Sequence, residues 1–312
     1  MSGAELQPLS LGELLDRAFT LYRRHFWLFV GIMAIPACLY VPVQFYFLRT
    51  RMVPFPWSKV PPQAHVTMAT LGVLLLFWII FPLAYGAATY AVADTYLGRS
   101  STIRDAYIKV RPQLWRLMGL ILNVGFRIVG LMFLLVVGAT ILGGILAAIL
   151  SRGSAAPSTM GVLAIVFLVV LSIGLTLWFA LRYGVSMPAM LLEDIKGSAA
   201  IRRSVQLSQG RRGQLFIAVL LTVVLSYTAA IVFQGPFYLT TALMGIKGQL
   251  PAWLALAMSV SGVLGGALTG PLLMIVLVLC YYDLRIRKEG FDLQVMMTSL
   301  PEPKPAGSAS PA

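Results

Sequence analysis

Six blocks of apolar residues, at 26–48, 66–90, 118–150, 160–181, 215–244 and 252–279, dominate the chain. Each is long enough to cross the ~30 Å hydrocarbon core of a bilayer, which takes about 20 helical residues. Inside them the apolar residues run all the way round the helix. One charged side chain, Arg127, interrupts them. The pattern predicts an all-α fold: a polytopic transmembrane helical bundle of six spans. The polar segments between the blocks are short, so 312 residues leave no room for a second folded domain. Residues 1–299 read as one integral membrane domain. The Pro-rich tail 300–312 has nothing apolar to bury and reads as disordered.

A different periodicity precedes the first block. Leu11, Leu14, Leu15, Ala18, Phe19, Tyr22 and Phe26 recur at helical spacing, with Glu13, Asp16, Arg17, Thr20, Arg23 and Arg24 on the other face. Ser10 and Glu13 stand at capping-box spacing. This predicts an amphipathic helix suited to lying in the membrane interface. It also argues against a cleaved secretory signal, whose apolar core is shorter and follows a short basic stub. The pattern returns before the third block. Residues 15–19 align with 103–107, Arg23 with Arg111 and Trp27 with Trp115, and Thr102 and Asp105 repeat the cap. A weaker copy at 198–211 includes Arg202, Arg203 and Arg211. Three repeat units of elbow helix plus hairpin follow, at about 10–97, 101–194 and 198–294.

Composition agrees. The chain is 59% hydrophobic and 11% charged, whereas soluble domains carry about 25% charge. Its mean hydropathy is +0.85. The formal charge of +13 is distributed as topology. With the first segment inside, eighteen of the 24 Lys and Arg residues fall on inner segments and five on outer ones. Excess Lys and Arg mark the cytoplasmic side. The expectation is a multi-pass protein of the cell's cytoplasmic membrane with both termini cytoplasmic. The interfacial basic set is Arg17, Arg23, Arg24, Arg104, Arg111, Arg202, Arg203, Arg211, Arg212, Arg285 and Arg287. It predicts contact with membrane lipids, anionic ones above all, and leaves room for a protein partner. The charges flank spans instead of forming a folded face, which excludes nucleic acid.

Candidate chemistry is sparse. Each returning span ends in acid: Asp94, then Glu193 and Asp194, then Asp283. These carboxylates either pair with elbow arginines or serve an ion or proton path. Arg127, Asn123 and Arg116 form a polar stripe that either lines a cavity with those acids or contacts lipid. An intramembrane charge is a functional candidate by default. Gly262, Gly266 and Gly270 put small residues on one face and favour close helix contact. Gly235-Pro236 and Gly270-Pro271 are the places for a broken helix. Cys38 and Cys280, both inside apolar blocks, read as small buried hydrophobes. No nucleophile elbow, P-loop, dinucleotide fingerprint or metal-ligand spacing occurs. The sequence calls for no catalytic residue, no metal and no cofactor.

Three stretches carry a family resemblance: residues 9–26 (LSLGELLDRAFTLYRRHF), 192–204 (LEDIKGSAAIRRS) and 281–293 (YYDLRIRKEGFDL). Together they resemble the membrane domain found beside some bacterial glycerophosphoryl diester phosphodiesterases, a family that mostly occurs as stand-alone proteins of unknown function. The resemblance spans residues 9 to 294. It implies a helical membrane domain. The phosphodiesterase's catalytic part is a soluble barrel bearing His-Arg-Gly and metal-binding acids, and this chain has neither. The expected role is a non-catalytic accessory or scaffold domain contacting anionic lipids or a partner. The rivals are a small permease with an inward-facing polar cavity and a lipid-modifying membrane enzyme.

Overall fold

The computed structural model describes residues 9–52, 62–150, 159–244 and 251–290. They are helical, with no strand among them. In chain order the helices are α1 (Leu11–Arg24), α2 (Phe26–Met52), α3 (Pro62–Tyr96), α4 (Ile103–Val110), α5 (Leu114–Leu150), α6 (Thr159–Ala180), α7 (Ser186–Leu192), α8 (Gly197–Ser208), α9 (Arg212–Leu243) and α10 (Ala252–Glu289). Short 3₁₀ turns join α4 to α5 and α6 to α7.

Five helices are long and apolar enough to cross a membrane: α3, the segment built on α5, the α6–α7 segment, α9 and α10. Of α2, the apolar stretch Phe26–Leu39 falls short of that length within the described residues. The outer surface is greasy. Phe126, Phe133, Leu134, Ile231 and Leu243 are all more than 65% exposed. A monomer in water rarely shows apolar patches of that size, and a bilayer accommodates them. This is a helical membrane protein. The expected disordered tail, 300–312, lies outside the described residues, as do the segments that join the helices at the end remote from α1.

The long helices pack as antiparallel neighbours, α2 with α3, α5 with α6 and α9 with α10, and α10 also packs along α2. α10 is the hub. Its most apolar window is 56% buried, against 11% for α5 and α6. The core sits toward the end where α1, α4, α7 and α8 gather. Leu14, Phe29, Ile32, Val92, Ile275, Leu279 and Tyr281 are fully buried there. Small residues bring the backbones close. α3 buries Ala84, Ala87, Ala88 and Ala91. A Cβ on Gly86 would sit 2.4 Å from Val110 and 3.1 Å from Leu117, so only glycine admits α4 and α5.

The short helices form as their sequences predict. Ser10 caps α1 in a complete capping box with Glu13, satisfying two of the amide donors that helix starts leave open. Thr102 caps α4 through Asp105. α8 starts without a side-chain cap. α1, however, does not lie across the bundle's end in an interfacial plane. Leu9 bonds Asp283 and the Tyr22 hydroxyl bonds the Leu268 carbonyl. α1 therefore runs antiparallel along α10 for most of its length. Of its apolar stripe, Leu14 and Ala18 are buried, while Phe19 stays exposed.

Candidate functional site

The acids at the ends of the returning helices each hold polar partners, and this ring of contacts is a set of separate clusters rather than one connected network. The Asp94 carboxylate holds Lys109 of α4. Asp194 holds Arg116 at 2.8 Å. Glu193 accepts from Arg203 of α8 and from the Tyr281 hydroxyl at 2.8 Å. Arg203 also reaches Glu289, which pairs with Arg285. Asp283, only 3% exposed, accepts from the Leu9 N–H and from Arg287. Burial pulls the Arg203 guanidinium down, but its bonds and charge contacts with Glu193 and Glu289 outweigh that and raise it. These carboxylates are therefore structural anchors. Asp94 fixes α4 to α3, Glu193 fixes α8 to α7, Asp283 fixes α1 to α10, and Asp194 ties the start of α5 to the end of α7.

The three stretches singled out in the sequence meet in this ring. Residues 9–26 supply Leu9 and α1. Residues 192–204 supply Glu193 and Arg203. Residues 281–293 supply Tyr281, Asp283, Arg285, Arg287 and Glu289. Positions up to 278 residues apart are hydrogen-bonded here.

A second feature lies away from the charges. A cavity of about 490 Å³ opens between α2, α3, α9 and α10. Its polar groups include Tyr85, Thr222, Ser226, Tyr227, Gln234 and Thr269, and among the described residues no Asp, Glu, Lys, Arg or His borders it. Thr222 also borders a smaller, apolar groove of about 240 Å³ between α1, α9 and α10, lined by Leu15, Ala18, Phe19, Leu225, Leu272 and Val276.

The predicted cavity residues are elsewhere. Arg127 and Asn123 are exposed on α5 and do not line the cavity. Arg127 has no ion pair among the described residues, and Asp94 is engaged by Lys109 instead. Arg116, Asp94, Glu193, Asp194 and Asp283 all belong to the ion-paired ring. The glycine stripe of α10 also departs from the prediction of helix contact. Gly270 does pack on Met33, but a Cβ on Gly266 would meet nothing within 4 Å and on Gly262 would meet only the Gln234 amide, at 3.3 Å. The stripe forms one wall of the cavity. Both Gly-Pro steps flank it, through Gln234 and Gly270, yet α9 and α10 run unbroken through Pro236 and Pro271. Cys280 is buried as expected, whereas Cys38 is exposed. Among the described residues no group of three or more His, Cys, Asp or Glu is placed to hold a metal.

The sequence reading missed Tyr85, Thr222, Ser226, Gln234 and Thr269. Their only signal was polarity inside an apolar block, which is common in packed helices.

The sequence model of a family described as a domain of unknown function (DUF7847) matches residues 9–284. The chain belongs to the DUF7847 family. The matched region begins at Leu9 and ends one residue beyond Asp283, so it includes the Leu9–Asp283 hydrogen bond. No curated protein and no solved structure matches the chain.

Proposed function

We propose that this protein is a non-catalytic scaffold domain of the cytoplasmic membrane, with both termini cytoplasmic, that gathers anionic lipid around its basic rim. One observation carries the reading. The carboxylates Asp94, Glu193, Asp194, Asp283 and Glu289 are consumed by internal partners. Arg104, Arg111, Arg202, Arg211 and Arg212 have no acid partner within 4 Å among the described residues. Five of the eight described acids are thus engaged by partners, with Glu13, Asp16 and Asp105 left exposed, and the arginines without an acid partner are left for head groups, at about 1 kcal/mol each near an anionic surface.

The architecture that supports this is three elbow–hairpin units closed into a ring. The equivalent anchors Asp94, Glu193 and Asp283 each hold the following unit's elbow, and the last holds the first. The resemblance to the phosphodiesterase-associated membrane domain belongs to the same proposal. Its three stretches build two of these anchors, Glu193 and Asp283, which is what a shared scaffold requires.

The test is native mass spectrometry of the full chain with phosphatidylglycerol and phosphatidylcholine of matched chains. Several phosphatidylglycerol molecules should be retained in preference, and replacing Arg202, Arg211 and Arg212 together with Gln should remove part of them. Equal retention of both lipids by wild type overturns the reading. The cavity favours one alternative, a small permease, which flux of an uncharged solute into liposomes would reveal.

A further inference from the structure

We infer that the cavity between α2, α3, α9 and α10 is a binding site for a single uncharged lipid whose head group carries free hydroxyls, with its chain in the adjoining groove against α1.

The hydrogen-bond ledger of the cavity supports this. The Thr222 hydroxyl donates to Ala218, Ser226 to Thr222 and Thr269 to Gly265, each to a carbonyl of its own helix. Their protons are spent, so these oxygens face the cavity as acceptors. Three donors remain unspent among the described residues: the Tyr85 and Tyr227 hydroxyls and the Gln234 amide NH₂. The Gln234 carbonyl already accepts from Tyr238. A ligand that both donates and accepts completes this set, which describes hydroxyl and ester groups. Charged head groups do not fit. Among the described residues no ionised side chain borders the cavity, and a bare charge moved from water into such a site lacks compensation there.

Position and size agree. Thr222 lies ten residues along α9 from Arg212 and Gln234 twenty-two, so the cavity spans about 15 to 33 Å from the charged end at 1.5 Å per residue. That is hydrocarbon depth, reached laterally by lipids. A volume of about 490 Å³ falls within the roughly 300–1,000 Å³ of small-molecule sites. Thr222 is shared with the apolar groove, whose Leu and Val walls suit one acyl chain. Gly266 and Gly262 keep the cavity open, because any side chain there would project into it.

Diacylglycerol is the probe, with phosphatidylglycerol of the same chains as the charged comparison, both read by native mass spectrometry on the full-length protein. Wild type should retain one diacylglycerol. Gly266→Leu, which fills the cavity where a Cβ meets nothing, should lose it by roughly tenfold or more, while rim-bound phosphatidylglycerol stays unchanged. Tyr85→Phe should weaken diacylglycerol by about fivefold, as for one lost hydrogen bond. Gln234→Leu, of similar volume, gives a second reading if Gly266→Leu lowers the folded yield. Equal diacylglycerol retention by wild type and these variants overturns the site. So does a phosphatidylglycerol adduct that Gly266→Leu removes, since the occupant would then be charged. Loss of rim phosphatidylglycerol with the cavity lipid intact would sink the scaffold reading and leave this one standing.

Discussion

The backbone N–H of Leu9 donates to the carboxylate of Asp283 at 2.8 Å, joining the start of the first helix to the end of the last. The same carboxylate accepts from Arg287, whose other nitrogen reaches the Leu9 carbonyl. One acid therefore closes the bundle, and it is almost fully buried. Asp283→Ala strands the Leu9 N–H and the Arg287 guanidinium. It should cost about 1.5–3 kcal/mol, the range for bonds to a charged group. Asp283→Asn keeps an acceptor and should cost less. Thermal unfolding in detergent checks the order of the two.

Arg127 occupies an exposed place on α5, with no acid beside it among the described residues. An arginine at a span centre is worth about 2.5–3.5 kcal/mol against insertion. Arg127→Leu should keep or raise the melting temperature, and its effect should add to that of Asp94→Asn. By contrast, Lys109→Ala and Asp94→Asn should not be additive, because those two touch. Coupling between Arg127 and Asp94 would contradict the assignment.

Two neighbouring glycines should behave oppositely. A Cβ on Gly143 would stand 2.6 Å from the Ile165 side chain and 3.2 Å from its Cα, whereas on Gly144 it would meet nothing within 4 Å. Gly143→Ala should loosen the α5–α6 hairpin by about 1–3 kcal/mol, the usual cost of overpacking. Gly144→Ala should be neutral or slightly stabilising. Comparable losses at both sites would mean that the two helices pack through a different face.

The cap of α1 carries a pH signature. The Ser10 N–H, then its hydroxyl, hold the exposed Glu13 carboxyl below its ordinary value of 4.5. A lowered folded value gives stability that is present above 4.5 and lost as pH falls through the lowered value. The protection of the first-turn amides of α1, taken against their intrinsic exchange rate at each pH, should therefore fall on acidification below that point. Ser10→Ala should lower it already at neutral pH, with a cost of about 1 kcal/mol. An α1 first turn whose protection is the same at pH 3 and pH 7 would show that the cap contributes nothing.

Orientation follows from charge alone. Reporter fusions after Gly290 and near Ser58 should report opposite sides of the membrane, with the first in the cytoplasm, because the basic residues crowd that end. A same-side result would overturn the topology.

What was legible in the chain was local. The apolar blocks dictate α3, α5, α6, α9 and α10, because a helix apolar on all sides can be satisfied only in lipid. Ser10, Glu13, Thr102 and Asp105 announce the starts of α1 and α4, because a cap involves residues three apart. What α1 lies against was not legible. Its amphipathic stripe suits a membrane surface as well as α10, and only packing chose α10. The fate of the acids was half legible: that they would meet arginines follows from burial, but Lys109 and not Arg104 takes Asp94. The cavity was invisible. Periodicity reports which residues share a face of one helix, and a cavity is a property of four helices that fail to touch. Gly266 reads as a contact residue in the sequence and stands at an open wall in the fold, since a missing side chain serves either purpose and only the distance to the next helix decides which.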